Sequence, residues 1–222
     1  MVVDVGVGWR PFTTLELQHA LPECRVIGVE IDADRVDECR AFAPELEVRL
    51  GGFDLPLAPD ERPGLVRALN LLRQYHPARA DDALDRMARP LAVGGWLVDG
   101  RSDKAGDRLV ARVHRRTAYG RQAVALVCHS TFADGFAPTQ FQHLLPKDLG
   151  GPHHPVPAVA VLFEAWTAAV ASARAEGARA PEETFRAAAQ RIEAPVVVDE
   201  AGVREGYLAF WSLGVHRSIA PK

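Results

Sequence analysis

The sequence predicts an α/β fold with a doubly wound, mostly parallel sheet, followed by C-terminal helices and an antiparallel hairpin. Short apolar runs alternate with helical patterns in the first half, and strands that alternate with helices of about 10–15 residues favour right-handed βαβ crossovers. A hydrophobic fraction of 48% in 222 residues suffices for one full-sized core. We therefore expect a single domain, with residues 1–100 as its ligand-binding half and residues 101–222 as a C-terminal half that carries the helices and the hairpin.

Five strands are predicted in the first half, and helical patterns lie between them. The strands are residues 2–5, 25–30, 46–50, 65–72 and 96–98, the fourth running on into a helix. The first helix begins either at Pro11, which suits a first helical position, or at Thr13, which with Glu16 fits a capping box. Apolar side chains at helical spacing are expected to face the core. They are Leu17, Ala20 and Leu21 in the first helix; Val36, Cys39 and Ala43 in the second, which ends at Pro44; and Ala83, Leu84 and Met87 in the third, at residues 80–88.

The second half has a looser pattern that ends in helices and a hairpin. Its predicted elements are a helix at 109–116, a strand at 123–128, a loop-rich segment at 137–157 and a helix that begins at Pro181 and faces inward through Phe185, Ala188 and Ile192. The best helical pattern of the chain precedes Pro181. Its apolar positions are Val159, Leu162, Phe163, Trp166, Val170 and Ala173. Residues 196–198 and 207–213, joined by a Gly-containing turn, predict a terminal antiparallel hairpin.

Charge and cysteine content limit the classes of partner and the compartment. The net charge is −3 and the pI is about 6.2, so no overall field favours nucleic acid or an anionic membrane. Three widely spaced cysteines without a CxxC pair indicate reduced thiols rather than a disulfide framework. Neither a membrane-length apolar stretch nor a signal peptide stands out. We therefore expect a cytoplasmic protein that does not bind membranes.

The turn after the first strand is the leading candidate for a binding site. Asp4, Gly6 and Gly8 occupy a strand-to-helix turn, where glycines let a ligand approach the backbone and the helix start offers free N–H groups. Glu30 ends the next strand, where its carboxylate can accept hydrogen bonds from both hydroxyls of a ribose. In a doubly wound sheet both features meet at the carboxyl ends of the strands. The alternative interpretation is an ordinary Gly-x-Gly turn and a solvated acid that form no binding site.

Two nucleotide cofactors use such a layout. The dinucleotide fingerprint is G-x-G-x-x-G, and its third glycine is replaced here by Pro11, whose ring prevents close helix–strand packing. That substitution disfavours NAD as the cofactor. NADP is disfavoured further because no arginine directly follows Glu30. An NAD-dependent oxidoreductase is therefore a distant third hypothesis.

Several segments in order resemble class I S-adenosylmethionine-dependent methyltransferases, in particular uncharacterised small actinobacterial proteins. Val2–Gly8 looks like the first motif of that family, an acid before a Gly-x-Gly loop, and Ile27–Asp32 is similar to the second. Gly52–Pro56 resembles the loop after the third strand, and Met87–Val98 the segment before the fifth strand. The resemblance covers about the first hundred residues and implies a Rossmann-like methyltransferase fold with S-adenosylmethionine as cofactor.

The resemblance also implies roles for particular residues. Asp4, Gly6 and Gly8 would shape the methionine end of the cofactor pocket, and Glu30 would hold the ribose. Phe53 and Asp54 would border the adenine. Ile31 and Asn70 complete the expected cofactor-binding set. Candidate groups that could contact the methyl acceptor follow the fourth strand. For each of them, the more common role of such a residue is structural, as a solvated or packed side chain at the start of a helix. No catalytic base stands out among them. These are Asn70, Arg73, Gln74, Tyr75 and His76.

Departures from the family pattern narrow the function. Arg10 replaces the third glycine of the first motif, Val93 replaces a proline before the fifth strand, and Gly64 replaces an acid. Arg67 to Asn70 stand where enzymes that methylate base amino groups carry an Asn/Asp-Pro-Pro-aromatic motif, which disfavours DNA adenine methylation. We expect methyl transfer to a small-molecule acceptor. The alternative is a non-catalytic protein that keeps the fold, either with or without binding of the cofactor.

Two other clusters are interpreted as structural. His153 and His154 lie between prolines, but adjacent side chains on an extended loop point in opposite directions and no nearby acid or cysteine completes a metal site. We therefore expect no metal. The one basic cluster is more typical of a solvated helix face than of a nucleic-acid site. It comprises Arg112, His114, Arg115 and Arg116.

The chain begins almost at its first strand, which is expected to be central in the sheet. Such a start would leave the mouth of the cofactor pocket without the helix that often covers it. We therefore expect an exposed apolar patch there, covered either by a second subunit, which would make the protein a homodimer, or by residues absent from this chain.

Overall fold

A computed structural model describes residues 1–150, 156–192, 196–197 and 200–211, and all structural statements below concern these residues. They form two compact units. The first unit comprises Met1–Asp99 and His114–Gln122, and the second comprises Gly100–Val113 together with the described residues from Ala123 onward. The expectation of a single domain stays a prediction.

The first unit is built on strands in the order β3-β2-β1-β4-β5. The β1 strand pairs in parallel with both β2 and β4, and β2 pairs in parallel with β3. Asp4 therefore lies on a central parallel strand, as predicted. The strands are β1 Val2–Val5, β2 Val26–Glu30, β3 Glu47–Leu50, β4 Leu65–Leu69 and β5 Trp96–Ser102.

Helices pack on both faces of these strands, which confirms the doubly wound fold class. Residues alternate between the two faces of a strand. On β1, Val3 and Val5 share a core with Leu84 and Met87 of one helix, whereas the intervening Asp4 contacts another. The helices are α1 Phe12–Ala20, α2 Ala33–Phe42 and α3 Pro77–Ala88, with a 3₁₀ helix at Leu72–Gln74.

The second unit combines antiparallel strands with helices around an aromatic core. The strand β9 pairs antiparallel with β7 and with β8, so the predicted hairpin is confirmed within the described residues. A short helix, α6, lies between its strands where a turn was predicted. The elements that follow β5 are β6 Arg108–Thr117, β7 Gly120–Ser130, α4 Pro157–Ala175, α5 Pro181–Ala189, β8 Val196–Val197, α6 Glu200–Arg204 and β9 Tyr207–Trp211. The remainder of the predicted hairpin lies outside the described residues.

Trp166 of α4 is the centre of that aromatic core. It is fully buried and stacks on Phe141 with a centroid distance of 5.3 Å, while Phe136 and Phe185 lie within 6.2 Å. By length and composition alone, α4 could cross a membrane. Its buried apolar side chains instead pack into this core, as those of a core helix in a globular protein do. All of its predicted inward positions are buried.

Three sequence predictions are wrong, two of them for secondary structure and one for the buried face of a helix. Residues 109–116 were expected to be helical but belong to the strand β6. The first helix begins at Phe12 with Pro11 as its N-cap and without a side-chain cap, so neither predicted start is used. Its buried residue is Thr14, whereas the expected apolar face, Leu17, Ala20 and Leu21, stays partly or fully exposed.

The basic cluster on β6 also differs from its prediction. His114 is fully buried, and its Nε2 lies 2.8 Å from Asp99 Oδ1. Arg112 is buried and forms an ion pair with Asp148. Arg115 is exposed, as a solvated face requires. Two of the four positions are therefore satisfied polar groups on the buried side of a strand rather than a solvated helix face.

Gly206 provides a test of the second unit, because it combines a left-handed backbone with a lack of space. Its φ is +84°, and an added Cβ would lie 2.1 Å from the carbonyl oxygen of Ser130. Gly106 has a similar φ of +80°, but a Cβ there would meet nothing within 4 Å. Gly106→Ala should cost about 1–2 kcal/mol from the backbone alone. Gly206→Ala should cost about 1–3 kcal/mol more, because the Ser130 carbonyl must move. Urea unfolding of both variants measures the difference, and equal losses would contradict this account of Gly206.

Candidate functional site

The candidate site lies where the carboxyl ends of β1, β2 and β4 meet. The strand order reverses direction between β1 and β4. Ligands of open α/β sheets bind in the crevice at such a switch point, because the loops on its two sides diverge. The loop after β1 carries the predicted glycines, and the last residue of β2 is Glu30.

Both predicted glycines have left-handed backbones that favour glycine. Gly6 has φ +84° and Gly8 has φ +78°. A Cβ on Gly6 would lie 3.0 Å from Leu71 Cδ1, so the Leu71 side chain would have to shift slightly to admit one. A Cβ on Gly8 would meet nothing within 4 Å. The backbone at Gly8 therefore borders open space, which a ligand can enter.

The carboxylate of Glu30 fixes this loop to the end of β2. It is only 3% exposed. Its Oε2 accepts the N–H of Gly8 at 2.8 Å, and its Oε1 accepts the N–H groups of Ile31 at 3.0 Å and Asp32 at 3.2 Å. Arg35 Nη1 lies 3.8 Å from Oε1. Since a carboxylate oxygen can accept two hydrogen bonds, Oε2 can accept one more.

Helix α2 also contacts the loop after β1. Asp32 caps α2 by accepting the N–H groups of Asp34 at 3.0 Å and Arg35 at 3.2 Å. The buried Cys39 thiol donates to the carbonyl oxygen of Gly8 at 3.3 Å. Burial, and after it the Glu30 carboxylate, raises the pKa of the Cys39 thiol, which therefore stays protonated and able to donate at neutral pH. Both polar groups of Gly8 are thus bonded.

Asp4 is bound inside the fold rather than presented to the crevice. It is the register partner of Arg67 on β4, and Arg67 donates to it in bidentate fashion, from Nε to Oδ1 at 2.8 Å and from Nη2 to Oδ2 at 2.8 Å. Thr14 of α1 donates to Oδ2 at 2.6 Å, and Arg67 Nη2 also donates to the carbonyl oxygen of Thr13. These contacts tie β1, β4 and the start of α1 together.

The predicted adenine side is made by the loop after β3. Gly51 donates its N–H to the carbonyl oxygen of Glu30 at 2.9 Å, which brings this loop beside the end of β2. Ile31 is 75% exposed, and a Cβ on Gly52 would lie 3.6 Å from its Cδ1. Phe53 is half-buried and makes an edge contact with Tyr75 at a centroid distance of 5.5 Å. An exposed aliphatic side chain and a partly exposed ring thus border the loop.

Asp54 and Asn70 differ in how they are held. Asp54 is exposed and forms an ion pair with Arg86 of α3, and that guanidinium lowers the pKa of the Asp54 carboxyl. Asn70 directly follows β4 and has a left-handed backbone with φ +58°, which asparagine tolerates better than most residues. Tyr75 packs against Phe53, and His76 Nδ1 accepts the N–H of Ala78 at the start of α3. Two of the acceptor-side candidates therefore have structural contacts.

The structure thus bonds Gly8 directly to Glu30 and brings the loop at Gly51 beside them. Gly6 donates its N–H to the carbonyl oxygen of Val29, whereas Asp4 and Asp54 are engaged elsewhere. Sequence analysis missed Arg67, Thr14 and Cys39 as supports of the loop. The position of Arg67 opposite Asp4 could have been found by aligning the two strands in register. Among the described residues, no group of three His, Cys, Asp or Glu side chains could hold a metal. His153 and His154 lie outside them.

Comparisons with known proteins show partial similarity to solved methyltransferases. No family model matches the chain, and no curated protein matches it in sequence. The CcbJ methyltransferase of Streptomyces caelestis is 20% identical, with 58% of this chain and 59% of that chain covered and a TM-score of 0.38. The YcgJ protein of Bacillus subtilis is 22% identical, with 48% and 47% covered and a TM-score of 0.37.

A third similar structure is the geranyl diphosphate C-methyltransferase of Streptomyces coelicolor A3(2), solved with Mg2+, geranyl diphosphate and S-adenosyl-L-homocysteine. It is 19% identical, with 45% of this chain and 37% of that chain covered and a TM-score of 0.37. The chain spans less than two thirds of each of these proteins. Identities and TM-scores this low carry no argument about activity.

Arg67→Met tests the buried contact beneath the glycine loop. Removing one member of a buried ion pair leaves the other charge uncompensated and costs about 3–5 kcal/mol. We expect the free energy of unfolding to fall by about 3 kcal/mol, slightly discounted because the Arg67 side chain is 18% exposed. The double variant Asp4→Leu/Arg67→Met should recover part of that loss, since an apolar pair replaces the charges while the buried Thr14 hydroxyl loses its acceptor. A double variant less stable than Arg67→Met alone would contradict the pairing.

Proposed function

We propose that this chain binds S-adenosylmethionine at the carboxyl ends of β1, β2 and β4 and transfers its methyl group to a small-molecule acceptor. The observation that carries the proposal is the contact between Gly8 and Glu30. A left-handed glycine beside open space is hydrogen-bonded, at 2.8 Å, to an acid at the end of the adjacent parallel strand. This pairing of a glycine turn with an acid at the next strand end is the arrangement that a ribose-containing cofactor uses in open α/β sheets, and it supports the proposal.

The residues around this contact fit the parts of the cofactor. In the proposal, the remaining acceptor position of Glu30 Oε2 binds one ribose hydroxyl, since Oε1 already accepts two main-chain N–H groups. The exposed side chain of Ile31 supplies an apolar surface for the adenine, and Phe53 and Asp54 border it. The backbone at Gly6 and Gly8 lines the methionine end, together with Asn70 after β4.

Asp4 has an indirect role in this proposal. Both of its oxygens are occupied by Arg67 and Thr14. It therefore shapes the pocket by fixing β1 against β4 and α1, which sets the position from which the glycine loop begins. The predicted contact between Asp4 and the cofactor stays a prediction, and the bonded carboxylate argues for the indirect role.

Methyl transfer makes few chemical demands on the protein. The bound cofactor supplies a sulfonium methyl that is already activated. The chain has to align the acceptor in line with that methyl and to exclude water. A general base is needed only for an acceptor that must lose a proton early, and we assign none. The net charge of −3 and the absence of an overall cationic field favour a small molecule over nucleic acid as acceptor.

A non-catalytic protein that retains the cofactor site is the second candidate. Glu30 already accepts three main-chain N–H groups, so its shielded carboxylate serves the loop even without a ligand. Arg10, in place of the third glycine, forms an ion pair with Glu38 at 2.9 Å. An NAD-dependent oxidoreductase is disfavoured because Pro11 occupies the N-cap of α1, where the dinucleotide motif requires glycine.

Glu30→Ala tests the cofactor site directly. The variant loses the proposed charge-assisted hydrogen bond between Oε2 and a ribose hydroxyl, typically worth about 1.5–3 kcal/mol. Affinity for S-adenosylhomocysteine should fall at least about tenfold, because about 1.4 kcal/mol corresponds to one decade. Calorimetric titration with S-adenosylhomocysteine, with NAD as the comparison ligand, measures the change. Urea unfolding of the same variant shows whether it remains folded at the titration temperature.

Asp32→Ala is the matched control for this titration. It removes the side-chain cap of α2, which should cost about 1 kcal/mol of stability. Alanine keeps the main-chain N–H at position 32, which can still donate to Glu30. Affinity should therefore stay close to that of the wild type. Equal affinities for wild type and Glu30→Ala would remove the ribose assignment. If the wild type binds no S-adenosylhomocysteine but binds NAD, the proposal as a whole is wrong. Binding without methylation of any small molecule offered would favour the non-catalytic candidate.

A further inference from the structure

The segment that follows β3 returns to its own starting point within six residues. Gly51 begins it, and a Cβ on Gly51 would lie 2.7 Å from Cδ and Cγ of Pro56. The two ends of the segment are therefore packed together so closely that only a residue without a side chain fits at the first position. Phe53 and Asp54, which border the adenine in the proposed function, lie between these ends. We call residues 51–56 the closed loop.

Arg49 of β3 holds the far end of the closed loop. Its Nη1 donates to the carbonyl oxygen of Pro56 at 2.7 Å and to Glu61 Oε2 at 2.6 Å, and its Nη2 donates to Glu61 Oε1 at 2.8 Å. Its Nε and Nη2 also donate to Glu47 Oε1, at 2.9 Å and 2.6 Å. These bonds use all five N–H groups of the guanidinium. Arg49 therefore supports the loop and keeps no donor for a ligand.

Glu61 is the principal acceptor for Arg49, and the chain shields it from solvent. Its side chain is 10% exposed, and it also accepts the N–H of Ala58 at 2.7 Å and Nη1 of Arg25 at 2.8 Å. The hydrogen bonds from Arg49, and after them the bond from Ala58, lower the pKa of the Glu61 carboxyl to about 2. The carboxylate is therefore ionised, and paired with Arg49, at neutral pH.

Two other contacts hold the closed loop, but neither fixes its direction as the Arg49 contacts do. Leu55 is buried in the core, and apolar burial is non-directional. Asp54 pairs with Arg86 at side-chain exposures of 64% and 35%, and an exposed ion pair contributes little to stability. The Arg49 side chain is only 22% exposed, and its hydrogen bonds to a carbonyl and a carboxylate are directional. Arg49 therefore sets the position of the loop end.

We propose, on the basis of the proposed S-adenosylmethionine site, that Arg49 is a positioning residue for the adenine side of that site. It does not touch the ligand. Through Pro56 and Glu61 it keeps the closed loop in the conformation from which Phe53 meets the base, so that the loop is already ordered before the ligand binds. Without Arg49, part of the loop has to be ordered on binding, and ordering a single backbone residue lowers an affinity by about tenfold.

Calorimetric titration with S-adenosylhomocysteine and with S-ribosylhomocysteine, which carries a hydroxyl in place of the adenine, tests this role. The wild type should bind S-adenosylhomocysteine more tightly, because only that ligand has a base for the closed loop to contact. Arg49→Met should reduce the ratio of the two affinities at least about tenfold, with the whole loss on the side of S-adenosylhomocysteine. Arg49→Lys should lose less, since an ammonium keeps the charge but lacks the planar fork of donors. A merely structural role would lower both affinities by the same factor.

Arg40→Met is the matched control, because Arg40 of α2 also donates to β3, at the carbonyl oxygen of Val48, while its contacts with Val48 and Asp37 lie outside the closed loop. It should bind both ligands as the wild type does, and circular dichroism establishes that each variant is folded.

Amide exchange of the free protein provides a readout without ligand. The Leu57 N–H, which donates to the carbonyl oxygen of Leu55, should exchange faster in Arg49→Met than in the wild type or Arg40→Met. If the wild type binds S-adenosylhomocysteine but Arg49→Met keeps the same affinity ratio, or if Leu57 exchange is unchanged, the positioning role is wrong while the proposed function stands. A wild type that binds no S-adenosylhomocysteine would overturn both.

Discussion

Glu30 carries a negative charge into a nearly closed space at the end of β2, and three main-chain N–H groups surround it there. A buried carboxylate destabilises the folded state unless its oxygens are hydrogen-bonded. The backbone on both sides of Glu30 therefore has to fold so that its N–H groups reach those oxygens. The loop after β1 has to bring Gly8 within reach, and the chain after β2 has to turn so that two successive N–H groups point back. The left-handed backbone of Gly8 and the capped start of α2 both satisfy this constraint. The candidate site is a consequence of meeting it.

Most of the first unit could be predicted because its patterns are short-range. The β-branched run at β1 and the turn at Gly6 and Gly8 mark a strand that ends in a loop, and the apolar stripe of α3 appears as predicted. The Asp32 cap of α2 is another short-range feature, because it involves only the next three residues. Glu30 was found from its place at the end of the second predicted strand. Those signals depend on neighbours in sequence or on one repeated βα unit, which is why sequence alone carries them.

The errors arose where a buried face is polar. Two of the alternating buried positions of β6 are the polar residues Arg112 and His114. Because of them, the pattern of apolar residues does not indicate a strand here. Arg112 forms an ion pair with Asp148, and His114 Nε2 lies 2.8 Å from Asp99 Oδ1; both partners are distant in sequence. The pairing of Asp4 with Arg67 was missed for the same reason, since 63 residues separate them. Tertiary partners decide such cases, and a single sequence does not display them.

Hydrogen exchange resolved at single amides tests the central claim most directly, because the account assigns specific N–H groups to specific roles. In the free protein, the amides of Gly8, Ile31 and Asp32 should exchange slowly for loop residues, since all three donate to Glu30. Saturating S-adenosylhomocysteine should slow exchange further across residues 6–9 and 51–54, whereas NAD should not, because only a ligand that binds the native site suppresses local opening. Unchanged exchange with S-adenosylhomocysteine, or slowing by NAD instead, would contradict the claim that Glu30 and the glycine loop form a site for S-adenosylmethionine.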